Sequence, residues 1–296
     1  MKTLITGCSG LVGSAVVEEL FAKGYSLHCL KRSSDSRAEQ FWDTAKLPVA
    51  GENMCDSVVH LAGENVASGR WSSQKKKRIL DSRVEGTRAL VDYIATLEQK
   101  PKVFLCASAV GIYGNRGEER MDEKSSPGEG FLADVCCQWE QQTARLSRMG
   151  VRTVNLRFGM ILSPQGGALH KMIPPFKLGL GGVIGTGRQI VPWISIRDVV
   201  EIIDFIVTQE NLSGPVNVVS PNHTTNRELT KLLGKSLGVP TLLKMPAFAA
   251  RAVFGQMADE MLLSSCRAVP SRLTEAGYQF RDPVLEPLLD YCVNGV

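Results

Sequence analysis

The chain has 296 residues, enough for one large domain or two modest ones with a sizeable core. Its hydrophobic content of 44% and charged content of 22% are typical of a soluble globular protein. The net charge of +4 is too small to favour nucleic acid or an anionic membrane as a partner. No stretch is long and apolar enough to span a membrane. Lys2 and the apolar residues after it faintly imitate a secretory leader, but the glycines and the Glu18-Glu19 pair interrupt its apolar region, so we expect a cytoplasmic location.

The eight cysteines lie mostly in apolar contexts, and no pair has metal-ligand spacing. We therefore predict no metal site and expect all eight to be reduced. The run Lys75-Lys76-Lys77-Arg78 falls in a predicted helix, and we interpret it as a solvated face.

The first predicted elements are a buried strand over residues 2–6, a glycine-rich turn and a helix over about 12–23. Gly7, Gly10 and Gly13 occupy that turn, and apolar residues then recur at helical spacing. Glycines in this context allow a tight turn, close approach to a pyrophosphate and close packing of helix on strand. The free N–H groups at the helix start favour a phosphate. The pattern therefore predicts dinucleotide binding, although an ordinary strand–turn–helix is the alternative.

The second predicted strand, residues 25–30, bears on the choice of cofactor. An acidic residue at its end would hold the ribose hydroxyls of NAD, but Lys31-Arg32-Ser33-Ser34 stands there instead. Two cations and two hydroxyls suit a 2′-phosphate. A charge-assisted bond of roughly 1.5–3 kcal/mol predicts about a ten- to a hundredfold preference for NADP over NAD. A merely basic loop entry is the alternative.

Strands and helices continue to alternate along the first half of the chain. A strand over 56–61 leads into Ala62-Gly63, and a helix runs from about 72 to 97. Arg83 on that helix could reach a phosphate or equally well pair with Asp81 or Glu85. Strands over 101–107 and 151–158 flank a helix over about 131–149. This alternation predicts an α/β fold, a Rossmann-type doubly wound parallel sheet.

The second half has a different character. Gly-rich stretches over 163–170 and 179–188 suggest a pocket wall or lid, and a helix over 198–208 precedes a short strand over 216–219. Thr225 and Glu228 predict a capping box. We predict a cofactor-binding domain over residues 1–160, to which the segment around 190–220 returns. Residues 161–296 form a smaller mixed, mostly helical substrate lobe.

Several motifs together carry a resemblance to a known family. They are Gly7-x-x-Gly10-x-x-Gly13, Asp56…His-Leu-Ala-Gly63, Ser108-Ala-x-x-x-Tyr113-Gly, Ile196-x-Asp198, Phe176-x-Leu-Gly-x-Gly-Gly182 and Pro270-x-Arg-Leu-x-x-x-Gly277-Tyr-x-Phe280. The chain resembles the atypical extended short-chain dehydrogenase/reductases, in the branch called epimerase family proteins. This resemblance spans essentially the whole chain.

The resemblance implies an NADP(H)-binding Rossmann domain whose substrate crevice faces the C-terminal lobe. It places the pyrophosphate on the turn and the 2′-phosphate on the basic pair. The adenosine and its ribose would lie on the end of the next strand. The implied cofactor residues are Gly7, Ser9, Gly10, Leu11, Val12, Gly13, Lys31, Arg32, Leu61, Ala62, Gly63, Arg83 and Ile161.

The usual catalytic pair of this family is absent. Active members use a Tyr followed four residues later by a Lys, and no Tyr-x-x-x-Lys occurs in this sequence. Anchored on Trp139-Glu140, the two positions fall near Leu132 and Cys136. Ser108 stands where the family's Ser meets substrate, with a strand-end cap as the alternative. Tyr113 is the best substitute acid or base, although packing is the commoner role of such a residue.

Two functions remain open from the sequence. The first is an NADP-dependent oxidoreductase or epimerase acting on a small polar or nucleotide-linked substrate with a nonstandard proton donor. The second is a catalytically silent NADP(H)-binding protein that senses cofactor state or serves a partner. We expect a monomer or a homodimer.

Overall fold

The computed structural model describes residues 1–32, 42 and 55–295. The strands are β1 (Lys2–Thr6), β2 (Ser26–Leu30), β3 (Ser57–His60), β4 (Val103–Ala109), β5 (Arg120–Met121), β6 (Arg152–Phe158), β7 (Met160–Ser163), β8 (Gly182–Ile184), β9 (Ile190–Val191), β10 (Trp193–Ser195), β11 (Gly214–Val218), β12 (Thr224–Thr225), β13 (Leu243–Met245) and β14 (Arg267–Ala268). The α-helices are α1 (Leu11–Ala22), α2 (Ser73–Thr96), α3 (Phe131–Arg148), α4 (Gly167–Lys177), α5 (Ile196–Thr208), α6 (Asn226–Leu237), α7 (Ala247–Phe254), α8 (Ser271–Glu275) and α9 (Leu285–Asn294). A 3-10 turn covers Val110–Tyr113 and a π-helical turn covers Ala258–Leu262.

The central sheet is parallel, with its described strands in the order β11-β6-β4-β3-β1-β2. Its inner strands are apolar and buried on both faces, as strands covered by helices on each side must be. Helices α1 and α5 cover one face, and α2 and α3 cover the other. The sheet is therefore Rossmann-type and doubly wound, as the alternation of elements predicted.

The strand order reverses between β1 and β3. From β1 the chain crosses to β2 on one side, whereas β3 and β4 build outward on the other. The carboxyl ends of β1 and β3 therefore flank the crevice where ligands of open α/β sheets bind. The glycine turn follows β1 directly, and Leu61 to Gly63 follow β3. The topology thus brings together two of the segments predicted to hold cofactor.

The later part of the chain adds β11 to the sheet edge beside β6, and α5 packs on α1. A separate apolar cluster joins α4, α6 and α9 around Trp193. The second half of the Gly-rich stretch over 163–170 is helical, since α4 begins at Gly167. The capping box of Thr225 and Glu228 at the start of α6 is confirmed. The described helices are each too short or too polar to cross a membrane.

One buried carboxylate ties the C-terminal segment to α5. Asp198 is fully buried and accepts a hydrogen bond from Ser195 Oγ at 2.9 Å. It also accepts from Tyr278 Oη at 3.0 Å and from the backbone N–H groups of Arg281 at 2.7 Å and Asp282 at 3.0 Å. The Ile196-x-Asp198 and Gly277-Tyr motifs therefore contact each other. The Asp198 carboxylate accepts from the Tyr278 hydroxyl of the second motif and from the backbone just after it.

Two sequence predictions are corrected by the fold. Lys75 is buried rather than solvated, because its Nζ bonds Glu64 Oε1 at 2.6 Å at the start of α2. The expectation that all cysteines are reduced is also wrong, because Cys8 and Cys29 form a disulfide. Strand pairing explains that bond. Ile5 lies opposite Cys29 across β1 and β2, and the turn after β1 brings Cys8 over the same position.

Candidate functional site

The backbone of the glycine turn packs so closely against neighbouring backbone that a side chain would not fit at two of its positions. Gly7 has φ +77°, and a Cβ on it would lie 2.8 Å from the backbone N of Ala62. A Cβ on Gly13 would lie 2.1 Å from the Gly7 carbonyl oxygen. Helix α1 begins at Leu11 without a side-chain cap, so its first N–H groups remain available to a ligand. This cradle fits the pyrophosphate of a dinucleotide.

The basic pair lies in line with the cradle. Lys31 and Arg32 follow β2 directly, and both side chains are exposed. Since β2 is the parallel neighbour of β1, the pair stands beside the end of the strand that leads into the turn. Ser33 and Ser34, the other residues predicted to hold a 2′-phosphate, lie outside the described residues. An exposed guanidinium beside an exposed ammonium has the chemistry that a phosphate requires.

Arg83 leans from α2 over the end of β3. Its guanidinium would touch a Cβ on Gly63 at 3.3 Å, and its Nη1 donates to the Glu64 carbonyl oxygen at 3.0 Å. The guanidinium also stacks on the ring of Trp139 at 5.0 Å. Burial lowers the pKa of Arg83. Of the two predicted alternatives, the structure disfavours pairing with Asp81 or Glu85 and places the cation at the crevice.

Ile161 lies close to the start of α1, which follows the glycine turn. It lies in β7, half-buried against the cluster that contains α1. The β7–α4 turn that follows touches the start of α1, because a Cβ on Gly167 would lie 2.9 Å from Leu11 Cδ2. The second half of the chain therefore closes against the glycine turn.

Ser108 lies at the carboxyl edge of β4, but its hydroxyl is bound by the protein. Its Oγ donates to Glu140 Oε1 at 2.7 Å, and its side chain is 3% exposed. Arg157 grips the same carboxylate with two bonds of 2.8 Å, from Nε and Nη2. Such a bidentate pair fixes the carboxylate in place. It holds Ser108 with its hydroxyl proton directed at Glu140.

Tyr113 is fully buried. Its hydroxyl lies 2.7 Å from Asn217 Oδ1 and 3.0 Å from the Asp122 carbonyl oxygen, and it accepts from Arg157 Nη1 at 2.9 Å. Burial raises the pKa of Tyr113 to about 12, although Arg157 opposes the shift. A phenol enclosed in this way cannot reach a substrate, so the geometry speaks against the prediction that Tyr113 replaces the missing proton donor.

The positions of the missing pair are apolar or inert. Leu132 packs against Gly111, with 3.3 Å between its Cβ and the place of a Gly111 Cβ. Cys136 is 3% exposed, and burial raises the pKa of its thiol to about 12. Glu123, a nearby acid, is buried and accepts from the backbone N–H of Asn217 at 3.0 Å. Burial raises the pKa of Glu123.

The sequence reasoning missed Glu140 and Arg157, the ion pair that binds the Ser108 hydroxyl. Leu132, Cys136 and Glu140 are spaced by four residues and therefore share one face of α3. The face that presents Tyr and Lys in active relatives thus presents a carboxylate one turn further along. The one signal available was Arg157, a charged residue between Leu156 and Phe158 in a predicted buried strand, which indicates a buried partner.

Comparisons with known proteins agree with this architecture. A family model described as the NAD dependent epimerase/dehydratase family matches residues 3–219, and one described as a domain of unknown function (DUF1731) matches residues 245–292. Epimerase family protein Mb2239 of Mycobacterium bovis is 41% identical over 297 residues, covering 98% of this chain and 97% of the relative. Human epimerase family protein SDR39U1 is 34% identical over 288 residues, with 96% and 97% covered.

Solved structures give the same result. The crystal structure of human epimerase family protein SDR39U1 (isoform 2) with NADPH matches with a TM-score of 0.90 at 32% identity, and 100% of both chains is covered. A nucleoside-diphosphate sugar epimerase from Corynebacterium glutamicum matches with a TM-score of 0.79 at 32% identity, with 100% of this chain and 58% of that chain covered. Because the family model spans more than half of the residues, the chain belongs to the NAD-dependent epimerase/dehydratase family, in the branch of epimerase family proteins.

Proposed function

We propose that this protein binds NADP(H) and acts as an oxidoreductase or epimerase on a small polar or nucleotide-linked substrate. The glycine cradle carries the first part of the proposal, because two of its positions leave no room for a Cβ. Lys31 and Arg32 favour the phosphorylated cofactor. The similar human protein was crystallised with NADPH, which supports the same choice.

The roles of the cofactor residues follow from their places. Gly7, Ser9, Gly10, Leu11, Val12 and Gly13 hold the pyrophosphate, and Lys31 with Arg32 holds the 2′-phosphate. Leu61, Ala62 and Gly63 lie under the adenosine half. Arg83 and Ile161 face the rest of the cofactor. When bound, NADP(H) supplies or accepts the hydride.

Ser108 and Glu140 are the proposed replacement for the Tyr–Lys pair. Ser108 donates its proton to Glu140, so its oxygen can only accept a hydrogen bond from a ligand. A substrate hydroxyl is such a donor. As hydride leaves the substrate carbon, its hydroxyl proton passes to Ser108 Oγ while the Ser108 proton passes to Glu140. Arg157 orients the carboxylate throughout.

Glu140 also borders a cavity that offers a route for that proton. An open cavity of about 330 Å³ is lined by Glu140, Arg157, Gln141 and Asn155, among others. Water in this cavity can take the proton from the carboxylate. The polar lining makes the cavity suitable for water.

A variant of Glu140 tests the relay separately from cofactor binding. NADPH oxidation by a panel of carbonyl compounds and sugar nucleotides is followed at a wavelength where only the reduced cofactor absorbs. For any substrate found, Glu140→Gln should reduce kcat by roughly a hundredfold or more while the NADPH Kd changes by less than about twofold. Gln138→Ala, on the exposed side of the same helix, is the matched control. Equal loss of kcat in both variants would contradict the relay.

A second function is favoured by the enclosure of Ser108 and Tyr113. If neither group meets a substrate, the protein is a silent NADP(H)-binding protein that reports cofactor state to a partner. It would then bind NADPH without turnover across the panel, and a partner would bind the apo and NADPH-bound forms with different affinity. Turnover that depends on Ser108 excludes this second function.

A further inference from the structure

The Cys8–Cys29 disulfide lies inside the proposed cofactor site. Cys8 stands between Gly7 and Ser9 in the cradle, and Cys29 lies on β2, two residues before Lys31. The Cα atoms of the pair are 6.1 Å apart. One covalent bond therefore links the segment proposed to hold the pyrophosphate with the segment proposed to hold the 2′-phosphate.

The backbone around Cys8 is closely packed. A Cβ on Gly13 would lie 2.9 Å from Cys8 Cα, so the turn rests directly on the first turn of α1. A displacement of Cys8 is transmitted to the N-terminal N–H groups of that helix. The state of the sulfur atom is thus coupled to the geometry of the phosphate cradle.

Access distinguishes this pair from the five described cysteines that are buried, and pairing distinguishes it from Cys137, which is half-buried but free. Cys8 and Cys29 are both half-buried, within reach of a small thiol. Cys55, Cys136, Cys266 and Cys292 are buried, and burial raises the pKa of each thiol. A group that must exchange with an external thiol has to be reachable.

We propose that Cys8 and Cys29 form a reversible thiol–disulfide site that couples the thiol redox state to NADP(H) affinity, with the disulfide form binding more tightly. The proposal rests on the proposed binding of NADP(H) in this cradle. The disulfide holds the two phosphate-binding segments together before the cofactor arrives. In the dithiol form only the pairing of β1 with β2 joins the segments, and binding must fix their ends relative to each other.

The exchange is a balanced two-electron reaction. A thiolate of an external dithiol attacks one sulfur of the pair and forms a mixed disulfide, and the second thiol of the reagent then displaces the protein sulfur. The protein gains two electrons and two protons, and the reagent becomes a disulfide. A glutathione-type disulfide reverses the reaction through the same kind of mixed disulfide.

The test compares two redox forms of the wild-type protein. One sample is oxidised with glutathione disulfide and one is reduced with dithiothreitol, and alkylation with intact mass measurement verifies each state. NADPH is titrated into both by fluorescence. The reduced form should bind at least about fivefold more weakly. By reciprocity, saturating NADPH should shift the thiol–disulfide equilibrium of the pair towards the disulfide by the same factor.

Variants separate this pair from other cysteines. Cys8→Ser and Cys29→Ser should each bind NADPH with one affinity under both treatments, whereas Cys137→Ala should keep the full response. Equal NADPH affinity of the two wild-type forms would overturn the coupling and leave the proposed function standing. Alkylation of both Cys8 and Cys29 after the oxidant treatment would also overturn it. Failure of NADPH to bind in either state would overturn both the coupling and the proposed function.

Discussion

Single residues determine which side chains the cofactor cradle can accommodate. Gly13 is buried on α1, and its Cα faces the Gly7 carbonyl across a gap too small for a methyl group. Both atoms that a Cβ would meet most closely belong to the backbone, so neither can rotate away. The constraint therefore falls on the shape of the turn itself.

Replacing Gly13 with Ala should disrupt the turn. A Cβ placed 2.1 Å from Gly7 O forces the backbone to move, which we expect to destabilise the fold by about 1–3 kcal/mol. NADPH affinity should fall roughly tenfold or more, since the N–H groups of α1 shift with the turn. Urea unfolding and fluorescence titration measure the two effects. Glu18→Ala, exposed on the same helix, should leave both values unchanged.

A buried histidine should govern part of the acid sensitivity. His60 is fully buried between Thr6 Oγ1 at 2.7 Å and Thr87 Oγ1 at 2.9 Å, and burial lowers its pKa to about 3. An unfolded histidine titrates near pH 6.5. Between about pH 6.5 and 3 the unfolded state therefore binds a proton that the native state rejects. The free energy of unfolding should fall by about 1.4 kcal/mol per pH unit as pH decreases through that window.

The slope can be assigned by substitution. His60→Gln removes the titrating ring, so its free energy of unfolding should lose this pH dependence even if its absolute value is lower. His170→Gln removes an exposed histidine and should retain the wild-type slope. Urea unfolding from pH 7 to pH 4 measures all three proteins. An unchanged slope in His60→Gln would show that another group carries the acid sensitivity.

At the scale of elements, α3 shows how a helix can keep its place while its chemistry changes. It packs beside α2 on the sheet as a catalytic helix of the family would, with Trp139 buried in the core. Its crevice face carries Leu132 and Cys136, and the first polar group on that face is Glu140. The packing of the helix and the chemistry it presents are therefore specified by different residues.

The C-terminal segment depends on α5 through Asp198. Asp198→Asn leaves the shape but weakens acceptance from Tyr278 and from two backbone N–H groups. We expect a loss of about 2–4 kcal/mol in the free energy of unfolding. We also expect a protease to cleave the segment that follows residue 269 faster than in the wild type. Glu201→Gln is the matched control, since Glu201 binds the same segment through an exposed bridge to Arg281 and should cost less than about 1 kcal/mol. Equal losses would contradict a special role for Asp198.

At the scale of the whole molecule, cofactor binding should stabilise both halves together. The glycine turn contacts the end of β3 on one side and the β7–α4 turn on the other. A ligand bound at the turn should therefore stabilise elements from both halves of the chain against unfolding. The ratio of ligand concentration to Kd sets how much the ligand adds to the free energy of unfolding.

NADPH at a hundred times its Kd should add about 2.7 kcal/mol to the free energy of unfolding. The thermal midpoint should rise by roughly 5–10 °C. NADH at the same concentration should give a smaller rise, because it lacks the phosphate that Lys31 and Arg32 would bind. Arg32→Ala should reduce the NADPH effect and leave the NADH effect unchanged. Equal shifts with the two cofactors would contradict the proposed role of the basic pair.

Much of the fold was predictable because its signals are local. The alternation of buried strands and amphipathic helices indicated the doubly wound sheet, and Thr225 with Glu228 indicated where α6 begins. The Gly-rich segment after Ser163 was harder, because tertiary packing makes α4 helical although it contains Pro174 and Pro175. The burial of Lys75 could not be predicted from the helical pattern, because its partner Glu64 lies outside the helix.

The sequence by itself determined the Rossmann topology, the glycine cradle and the absence of a Tyr–Lys pair, because each depends on residue type and short spacing. Only the tertiary structure decided what the remaining polar groups do. Ser108 and Glu140 are 32 residues apart, and Cys8 and Cys29 are 21 apart. No periodicity links such residues. Ser108 meets Glu140 because α3 packs on β4, and Cys8 meets Cys29 because β2 is the parallel neighbour of β1.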